Sequence, residues 1–143
     1  MAMASTLDTS SRRGRQVAAR LDSDVIAWLT TVRPSGRPDS VPVWFIWHNG
    51  ELVLYSRPRT TKLRNLAANP LVSITLDDTN RGADIVRIEG TARVDETYPP
   101  AHRIPAYATK YAERIRGIGY RDPEAFARAY SVPIVVTVTR WRI

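Results

Sequence analysis

The sequence of 143 residues has no cysteine and only two histidines, His48 and His102. Without cysteine the chain cannot form disulfides, iron–sulfur clusters or a catalytic thiolate. The wide separation of the histidines disfavours a histidine-rich metal site. No stretch approaches the roughly 20 apolar residues that a membrane span requires, and the N-terminus lacks an apolar signal-peptide core. We therefore expect a cytoplasmic protein without membrane insertion, whose redox chemistry, if any, comes from an organic cofactor.

The length and composition predict one folded domain. Hydrophobic residues make up 43% of the chain and charged residues 24%, which is ordinary for a globular protein. We expect a flexible N-terminus over residues 1–10 and a single domain over residues 11–143.

The charge balance favours an anionic partner. The chain carries 21 Lys and Arg against 14 Asp and Glu, for a net charge of +7. Nucleic acid, a membrane surface and a small polyanionic ligand are all compatible with this excess. Nearly all of the positive charge is arginine, a bias that codon composition alone could produce.

One segment concentrates this charge. No acidic residue lies between Glu51 and Asp77, whereas Arg57, Arg59, Lys62 and Arg64 all do. Thr60 and Thr61 stand where a helix N-cap is expected, before a short helix over residues 62–68. Free backbone N–H groups and the helix dipole attract phosphate to such a terminus. The segment therefore predicts a phosphate site.

The remaining pattern is mostly β. An amphipathic helix is predicted over residues 11–21. Strands are predicted over residues 25–33, 39–48, 51–57, 71–76, 84–94 and 132–143. Two further helices are predicted over residues 106–115 and 123–130, the second with Asp122 as its N-cap. Asn49-Gly50 indicates a type I′ hairpin. Pro42 requires an edge or a bulge in its strand, Gly90 indicates a bulge, and residues 77–82 read as a polar turn. Short hairpin links favour an antiparallel barrel with flanking helices over a parallel sheet.

Three segments resemble the split β-barrel flavoproteins related to pyridoxamine 5′-phosphate oxidase. They are VIAWLTTVRPSGRPDSVPVWF at 25–45, LYSRPRTTKLRNLAANPLVSITL at 54–76 and DIVRIEGTARV at 84–94. The resemblance implies a mainly β (α+β) fold, a six-stranded antiparallel split β-barrel like that of FMN-binding proteins. The SRPRTTKLRNL segment and the TRWR ending look most like the actinobacterial branch that uses the deazaflavin coenzyme F420 rather than FMN.

The resemblance also implies a set of cofactor-binding residues. Arg57, Thr61 and Lys62 would hold the cofactor phosphate, and Asn65 would support the loop. The ring system would lie along the backbone of Ser40, Val41, Pro42, Val43 and Trp44. Tyr55, Ser56 and Thr60 belong to the same expected site. The phosphate role is favoured for Lys62, with a solvated helix face as the alternative, and Arg64 is expected at the surface.

Relatives of this kind are homodimers with the cofactor between subunits, so Trp141 and Arg142 of a partner could complete the site. Trp141 could instead pack in the dimer core. The basic helix, with Arg12, Arg13, Arg15 and Arg20, would suit the oligoglutamate tail of F420, although surface arginines would look the same.

The implied activity is hydride transfer from reduced F420 to a small conjugated acceptor, with the cofactor carrying the chemistry. Tyr55, Tyr107, Tyr111 and His48 are the candidates for a proton donor, and none is singled out. The parent oxidases extend further at the C-terminus, so pyridoxamine phosphate oxidation is disfavoured.

Three alternatives stay open. The cofactor could be FMN. The protein could bind F420 or a flavin without catalysis. A small barrel binding single-stranded nucleic acid through Trp28, Trp44 and Trp47 is least favoured, because residues three apart, such as Trp44 and Trp47, cannot share a strand face.

Overall fold

The structure is a computed structural model, and it describes residues 3–77 and 81–143. Within these residues it contains four α-helices, one 3₁₀ turn (Ala101–Arg103) and seven strands. The helices are α1 (Arg12–Ser23), α2 (Thr61–Ala68), α3 (Pro105–Gly117) and α4 (Pro123–Ala129). The strands are β1 (Ala27–Val32), β2 (Pro38–Val43), β3 (Ile46–His48), β4 (Glu51–Ser56), β5 (Leu71–Leu76), β6 (Arg87–Val94) and β7 (Val132–Arg142). The predicted turn at residues 77–82 and the predicted flexible N-terminus lie partly outside the described residues.

All seven strands belong to one antiparallel sheet in the order β2-β1-β5-β6-β7-β4-β3. Only Trp44 and Phe45 separate β2 from β3, which are the two edges of the sheet. Each residue spans at most about 3.6 Å, so a short link brings the two edges together. The sheet must therefore curl on itself, and the predicted antiparallel split-barrel fold with flanking helices is confirmed.

The number of strands corrects the prediction of six. Residues 39–48 were expected to form one strand, but they form parts of two strands on opposite edges. Pairing stops because the backbone N–H of Phe45 donates to the hydroxyl of Tyr111 (2.8 Å), and that hydroxyl also lies 3.0 Å from the Phe45 carbonyl oxygen. A side chain thus satisfies the backbone groups that a neighbouring strand would otherwise have bonded.

Several local signals are confirmed. Asn49 and Gly50 have φ of 51° and 75°, as a type I′ turn requires. Pro42 lies on an edge strand, and the register of β6 shifts between Glu89 and Gly90. Asp122 caps α4 by accepting from the backbone N–H of Ala125 (2.8 Å).

The sheet is covered on both faces. Alternate residues of β4 show this directly, because Leu52 and Leu54 belong to the inner core, whereas Val53 and Tyr55 pack under α3 and α4. On the inner side, α1 contributes Val17 and Leu21, and α2 contributes Leu66. No helix among residues 3–77 and 81–143 is both long and apolar enough to cross a bilayer.

The first residues touch the sheet. The N–H of Ser5 donates to the carbonyl of Val138 (2.7 Å), and Leu7 joins the inner core. The flexibility of residues 1–10 stays a prediction.

Gly90 gives a test of the bulge. A Cβ at this position would lie 2.5 Å from the carbonyl oxygen of Thr137 and 2.9 Å from Cγ1 of Val136. Gly90→Ala should therefore lower the free energy of unfolding by about 1–3 kcal/mol, the usual range for overpacking. Urea denaturation measures the change.

Gly117→Ala is the matched control, because nothing lies within 4 Å of the added methyl group. It should leave the free energy of unfolding unchanged or raise it by up to about 1 kcal/mol, because alanine is the better helix former. Equal midpoints for the two variants would contradict the close approach at Gly90.

Candidate functional site

A cavity of about 240 Å³ lies where the strand link at residues 44–45, the N-terminus of α2 and the helices α3 and α4 meet. The walls are mostly aromatic, with one cation at the side of α2. The lining residues are Pro42, Val43, Trp44, Tyr55, Lys62, Tyr107, Ile118, Phe126 and Tyr130.

Trp44 forms one wall and is fixed by stacking. Its ring lies 4.7 Å from that of Tyr111, with an interplanar angle of 9°, and 5.5 Å from that of Phe126. The Tyr111 hydroxyl is anchored by Phe45 and lies 2.8 Å from the carbonyl oxygen of Val25. Burial raises the pKa of Tyr111, so this hydroxyl stays protonated and keeps its bonds. The wall is thus held by side chains far apart in sequence.

Lys62 is the cation of the cavity. Its side chain is half-buried, and burial lowers the pKa of the amine, while nearby Asp39 acts in the opposite direction. Its ammonium group has no hydrogen bond or salt bridge to any residue in 3–77 or 81–143. Burial of a cation that makes neither a hydrogen bond nor a salt bridge is costly, which favours an anionic ligand beside it.

The N-terminus of α2 adds donors next to Lys62. Thr60 occupies the N-cap position but makes no side-chain hydrogen bond to the helix. Its hydroxyl instead lies 3.0 Å from that of Ser56. The N–H groups of the first helical turn therefore remain uncapped.

The loop before α2 is braced from within. Ser56 is buried and donates to the carbonyl oxygen of Arg57 (2.7 Å), so its hydroxyl holds the loop. Arg59 has a left-handed φ of 61°. Arg64 is exposed, as expected, and its guanidinium donates to the Arg59 carbonyl (3.2 Å) and to the Thr61 hydroxyl (3.1 Å).

Arg57 lies at the cavity mouth. One guanidinium nitrogen donates to the Tyr120 hydroxyl (2.7 Å), and the guanidinium carbon lies 5.3 Å from the ring centre of Tyr130, which lines the cavity. Arginine has five N–H donors, so the donors that do not bond Tyr120 and Tyr130 remain for a ligand.

Asn65 holds α2 in place against the sheet. Its side chain is buried, and its amide nitrogen donates to the Thr31 hydroxyl (2.9 Å). This bond ties α2 to β1 and sets the position of the helix N-terminus relative to the sheet.

The four candidates for a proton donor differ in their partners. Tyr55 donates to the carbonyl oxygen of Pro99 (2.6 Å), and Nδ1 of His48 lies 2.6 Å from the hydroxyl of Tyr98. The Tyr111 hydroxyl already bonds the backbone of Phe45 and Val25. Tyr107 is 1% exposed and lines the cavity, yet its hydroxyl has no hydrogen-bond partner in the described part of the chain. Burial raises the pKa of Tyr107, so the hydroxyl remains a donor.

Four expected residues lie away from the cavity of their own chain. Ser40 pairs with the hydroxyl of Thr30 (2.6 Å), and Val41 packs on the inner core. Trp141 packs edge-on against Trp47 at 5.5 Å and donates to the carbonyl of Ser5 (3.1 Å). The guanidinium Nε of Arg142 donates to the carboxylate of Glu89 (2.9 Å).

Three of the four arginines of the basic helix α1 make contacts within the chain. Arg13 forms a salt bridge with Asp84 (2.6 Å), and Arg20 forms one with Asp24 (2.7 Å). Arg15 donates to the carbonyl of Ser10 (2.7 Å). These contacts reduce the charge that α1 could offer a polyanionic tail.

Sequence reasoning did not assign Ile118, Phe126 and Tyr130 to the site. Ile118 directly follows α3, Phe126 lies in α4 and Tyr130 directly follows α4. The signal for the two aromatic residues was the aromatic content of residues 120–130. Among the described residues, no group of three or more acidic or histidine side chains could hold a metal ion.

Comparisons with known proteins agree with the fold described above. A family model described as pyridoxamine 5′-phosphate oxidase matches residues 14–143. No curated protein sequence matches the chain. A solved structure named F420 reductase is 24% identical, with a TM-score of 0.62, and the match covers 87% of this chain and 94% of that one.

Two further solved structures are similar. A conserved hypothetical protein from Mycobacterium tuberculosis is 22% identical with a TM-score of 0.63, and the match covers 90% of this chain and 81% of that one. A FAD-binding protein from Mesorhizobium loti is 15% identical with a TM-score of 0.63, over 89% of this chain and 88% of that one. At these identities the likeness shows the fold.

Substitutions at Tyr111 and Tyr107 test how the cavity wall formed by Trp44 is held. Tyr111→Phe should lower the free energy of unfolding by about 1–3 kcal/mol, because the buried N–H of Phe45 loses its acceptor. Tyr107→Phe removes a hydroxyl without a partner among the described residues and should change stability by less than about 0.5 kcal/mol. Urea denaturation of both variants measures the difference, and equal losses would contradict the anchoring role of Tyr111.

Proposed function

The chain belongs to the pyridoxamine 5′-phosphate oxidase family, and from that premise we propose that it is a reductase that uses coenzyme F420 to reduce a small conjugated organic acceptor. The observation that carries the proposal is Lys62, a half-buried cation that makes no hydrogen bond or salt bridge in the described chain, at one end of an aromatic cavity. A phosphate beside Lys62 and a fused ring between the aromatic side chains would meet both needs.

The phosphate end would be held by three kinds of donor. Lys62 supplies a point charge, the first turn of α2 supplies backbone N–H groups, and Arg57 supplies its remaining guanidinium donors. These groups complement the oxygen atoms of a phosphate ester. Thr61 adds a hydroxyl at the same helix end, and Asn65 fixes that helix on β1.

The ring end would lie along Trp44 and the edge strand β2. This strand pairs only with β1 within the described sheet, so the outer backbone groups near Pro42 and Val43 are open to a ligand. A flavin or deazaflavin carries polar atoms along its pyrimidine edge that need such partners.

A second subunit would complete the site. A volume of about 240 Å³ is below the roughly 300–1,000 Å³ of pockets that bury a whole drug-sized ligand. One chain can therefore enclose a ring system but not the entire cofactor. We propose a homodimer with the cofactor at the interface, in which Trp141 and Arg142, both outside the cavity of their own chain, approach the partner's site.

When bound, reduced F420 supplies a hydride to an electron-poor carbon of the acceptor. The chain contributes binding, orientation and exclusion of water. The aromatic side chains of α3 and α4 keep the cavity apolar, and the protonated hydroxyl of Tyr107 can hydrogen-bond a carbonyl oxygen of the acceptor.

Two considerations favour F420 over FMN. The net charge of +7 suits a cofactor that carries a phosphate and a carboxylate-rich tail. The similar structure named F420 reductase also shares the fold. The similar FAD-binding protein keeps a flavin as the alternative.

Fluorescence titration of the purified protein with F420, and separately with FMN, tests the cofactor. We expect F420 to bind at least about tenfold more tightly, a difference of roughly 1.4 kcal/mol. Preference for FMN would assign the protein to the flavin branch, and binding of neither would overturn the proposal. Turnover on a panel of enones separates a reductase from a carrier, because a carrier would bind F420 without oxidising it faster than in solution.

Lys62→Ala tests the phosphate end. The loss of a charge-assisted hydrogen bond should weaken cofactor binding by about 1.5–3 kcal/mol, or roughly ten- to a hundredfold in Kd. Lys62→Arg retains the charge and should lose less. The matched control is Arg103→Ala, which removes one positive charge from an exposed site that does not line the cavity. Equal effects at both positions would mean that net charge, not a contact at Lys62, governs binding.

A further inference from the structure

Tyr120 lies just after α3, and its backbone is held by the cap of that helix. Gly119 has a left-handed φ of 101°. The N–H of Tyr120 donates to the carbonyl oxygen of Ile115 (3.1 Å), and the N–H of Gly119 donates to that of Arg116 (3.0 Å). These two bonds form a Schellman motif, which satisfies carbonyl groups in the last turn of the helix. The backbone of Tyr120 is therefore fixed relative to α3.

The ring of Tyr120 is held as well. It packs edge-on against the rings of Phe126, with 5.6 Å between the ring centres, and of Tyr130, with 6.1 Å. Phe126 and Tyr130 line the cofactor cavity, whereas Tyr120 is not among the lining residues. The Tyr120 hydroxyl is thus a hydrogen-bond acceptor in a defined position beside the cavity.

This hydroxyl accepts from Arg57, the exposed arginine at the cavity mouth (2.7 Å). The guanidinium carbon also lies 5.3 Å from the ring centre of Tyr130. Both partners are phenol side chains and carry no charge that would offset that of the guanidinium. Arg57 makes no salt bridge within residues 3–77 and 81–143. Its positive charge therefore remains available to an anion.

The two tyrosines also limit the freedom of this guanidinium. An exposed arginine ordinarily adopts many rotamers, and a ligand that binds it must restrict them, which weakens binding. Contacts within the chain already hold Arg57 at the cavity mouth. A phosphate that reaches the mouth therefore gains the charge of Arg57 at a smaller cost in side-chain entropy.

We propose that Tyr120 is a positioning residue that holds Arg57 for the phosphate of the cofactor, and so makes the site selective for the phosphate-bearing form of a ring system. This inference rests on the proposed function. Tyr120 acts through Arg57, so it affects only ligands that carry a phosphate. The stacking wall at Trp44 is the same for ligands with and without one.

Tyr120→Phe tests the proposal, because it removes the hydroxyl and keeps the ring. The full-length protein is titrated by fluorescence with two pairs of ligands that differ in phosphate. One pair is F420 and its deazaflavin core, which lacks the phosphate and the tail, and the other is FMN and riboflavin. In the pair that the parent protein binds, the phosphate-bearing member should lose roughly three- to tenfold in Kd, the range for ordering one flexible side chain. The phosphate-free member should stay within about twofold.

Two further variants serve as controls. Tyr98→Phe makes the same change at another partly exposed tyrosine, whose hydroxyl lies 2.6 Å from Nδ1 of His48 and away from the cavity. It should leave both Kd values unchanged. In an Arg57→Ala background, Tyr120→Phe should have no further effect, because the side chain that it positions is gone.

Three results would overturn the proposal. Equal weakening of both members of a pair would show that the Tyr120 hydroxyl only stabilises the packing of α4. Unchanged or tighter binding of the phosphate-bearing member would show that the hydroxyl does not help Arg57 to bind it. An undiminished effect in the Arg57→Ala background would show that Tyr120 does not act through Arg57. Failure of the proposed function looks different, because the parent protein itself would then bind none of the four ligands, and both proposals would fall.

Discussion

The backbone of Phe45, bound by the hydroxyl of Tyr111, is the constraint on which the rest of the structure depends. The Phe45 N–H and carbonyl would otherwise need a strand partner, yet residues 44–45 lie where the sheet changes from one edge to the other. Tyr111 meets this need from α3, 66 positions away. Because the Tyr111 hydroxyl bonds both backbone groups of Phe45, residues 44–45 need no neighbouring strand. The sheet can therefore end at β2 and begin again at β3, and the barrel stays split between them.

The split creates two different environments from one backbone feature. On one side Trp44 stacks on Tyr111 and forms the wall of the proposed cofactor cavity. On the other side the Phe45 carbonyl accepts from Lys110. Lys110 lines a second cavity, of about 480 Å³, between the end of α1, β3 and the start of α3. The helix α3 supplies both Tyr111 and Lys110, which are adjacent in sequence, so a single helix fixes both cavities relative to the sheet.

The features predicted from sequence are those set by neighbouring residues. Asn49-Gly50, Pro42, Gly90 and the Asp122 cap act through their own backbone, and all four were read correctly. The acid-free segment around Lys62 likewise located a cation beside a helix N-terminus. The split between β2 and β3 could not be read, because it depends on a hydroxyl from a distant helix. Phe126 and Tyr130 were missed for the same reason, since helical spacing shows which residues share a face but not which part of the sheet that face covers.

The two lysines show why chemical role follows from contacts rather than from residue type. Burial lowers the pKa of both amines. Lys110 donates to two carbonyl oxygens and lies 4.0 Å from the ring centre of Phe45, so contacts within the chain offset the burial of its charge. Lys62 makes no hydrogen bond or salt bridge in the described chain and stands beside an uncapped helix terminus. An anion beside Lys62 would restore the charged form that burial disfavours, and it would gain the helix donors as well. The chain itself thus offsets the desolvation of Lys110, whereas the desolvation of Lys62 favours an anionic ligand, and the acceptors around each nitrogen decide between the two.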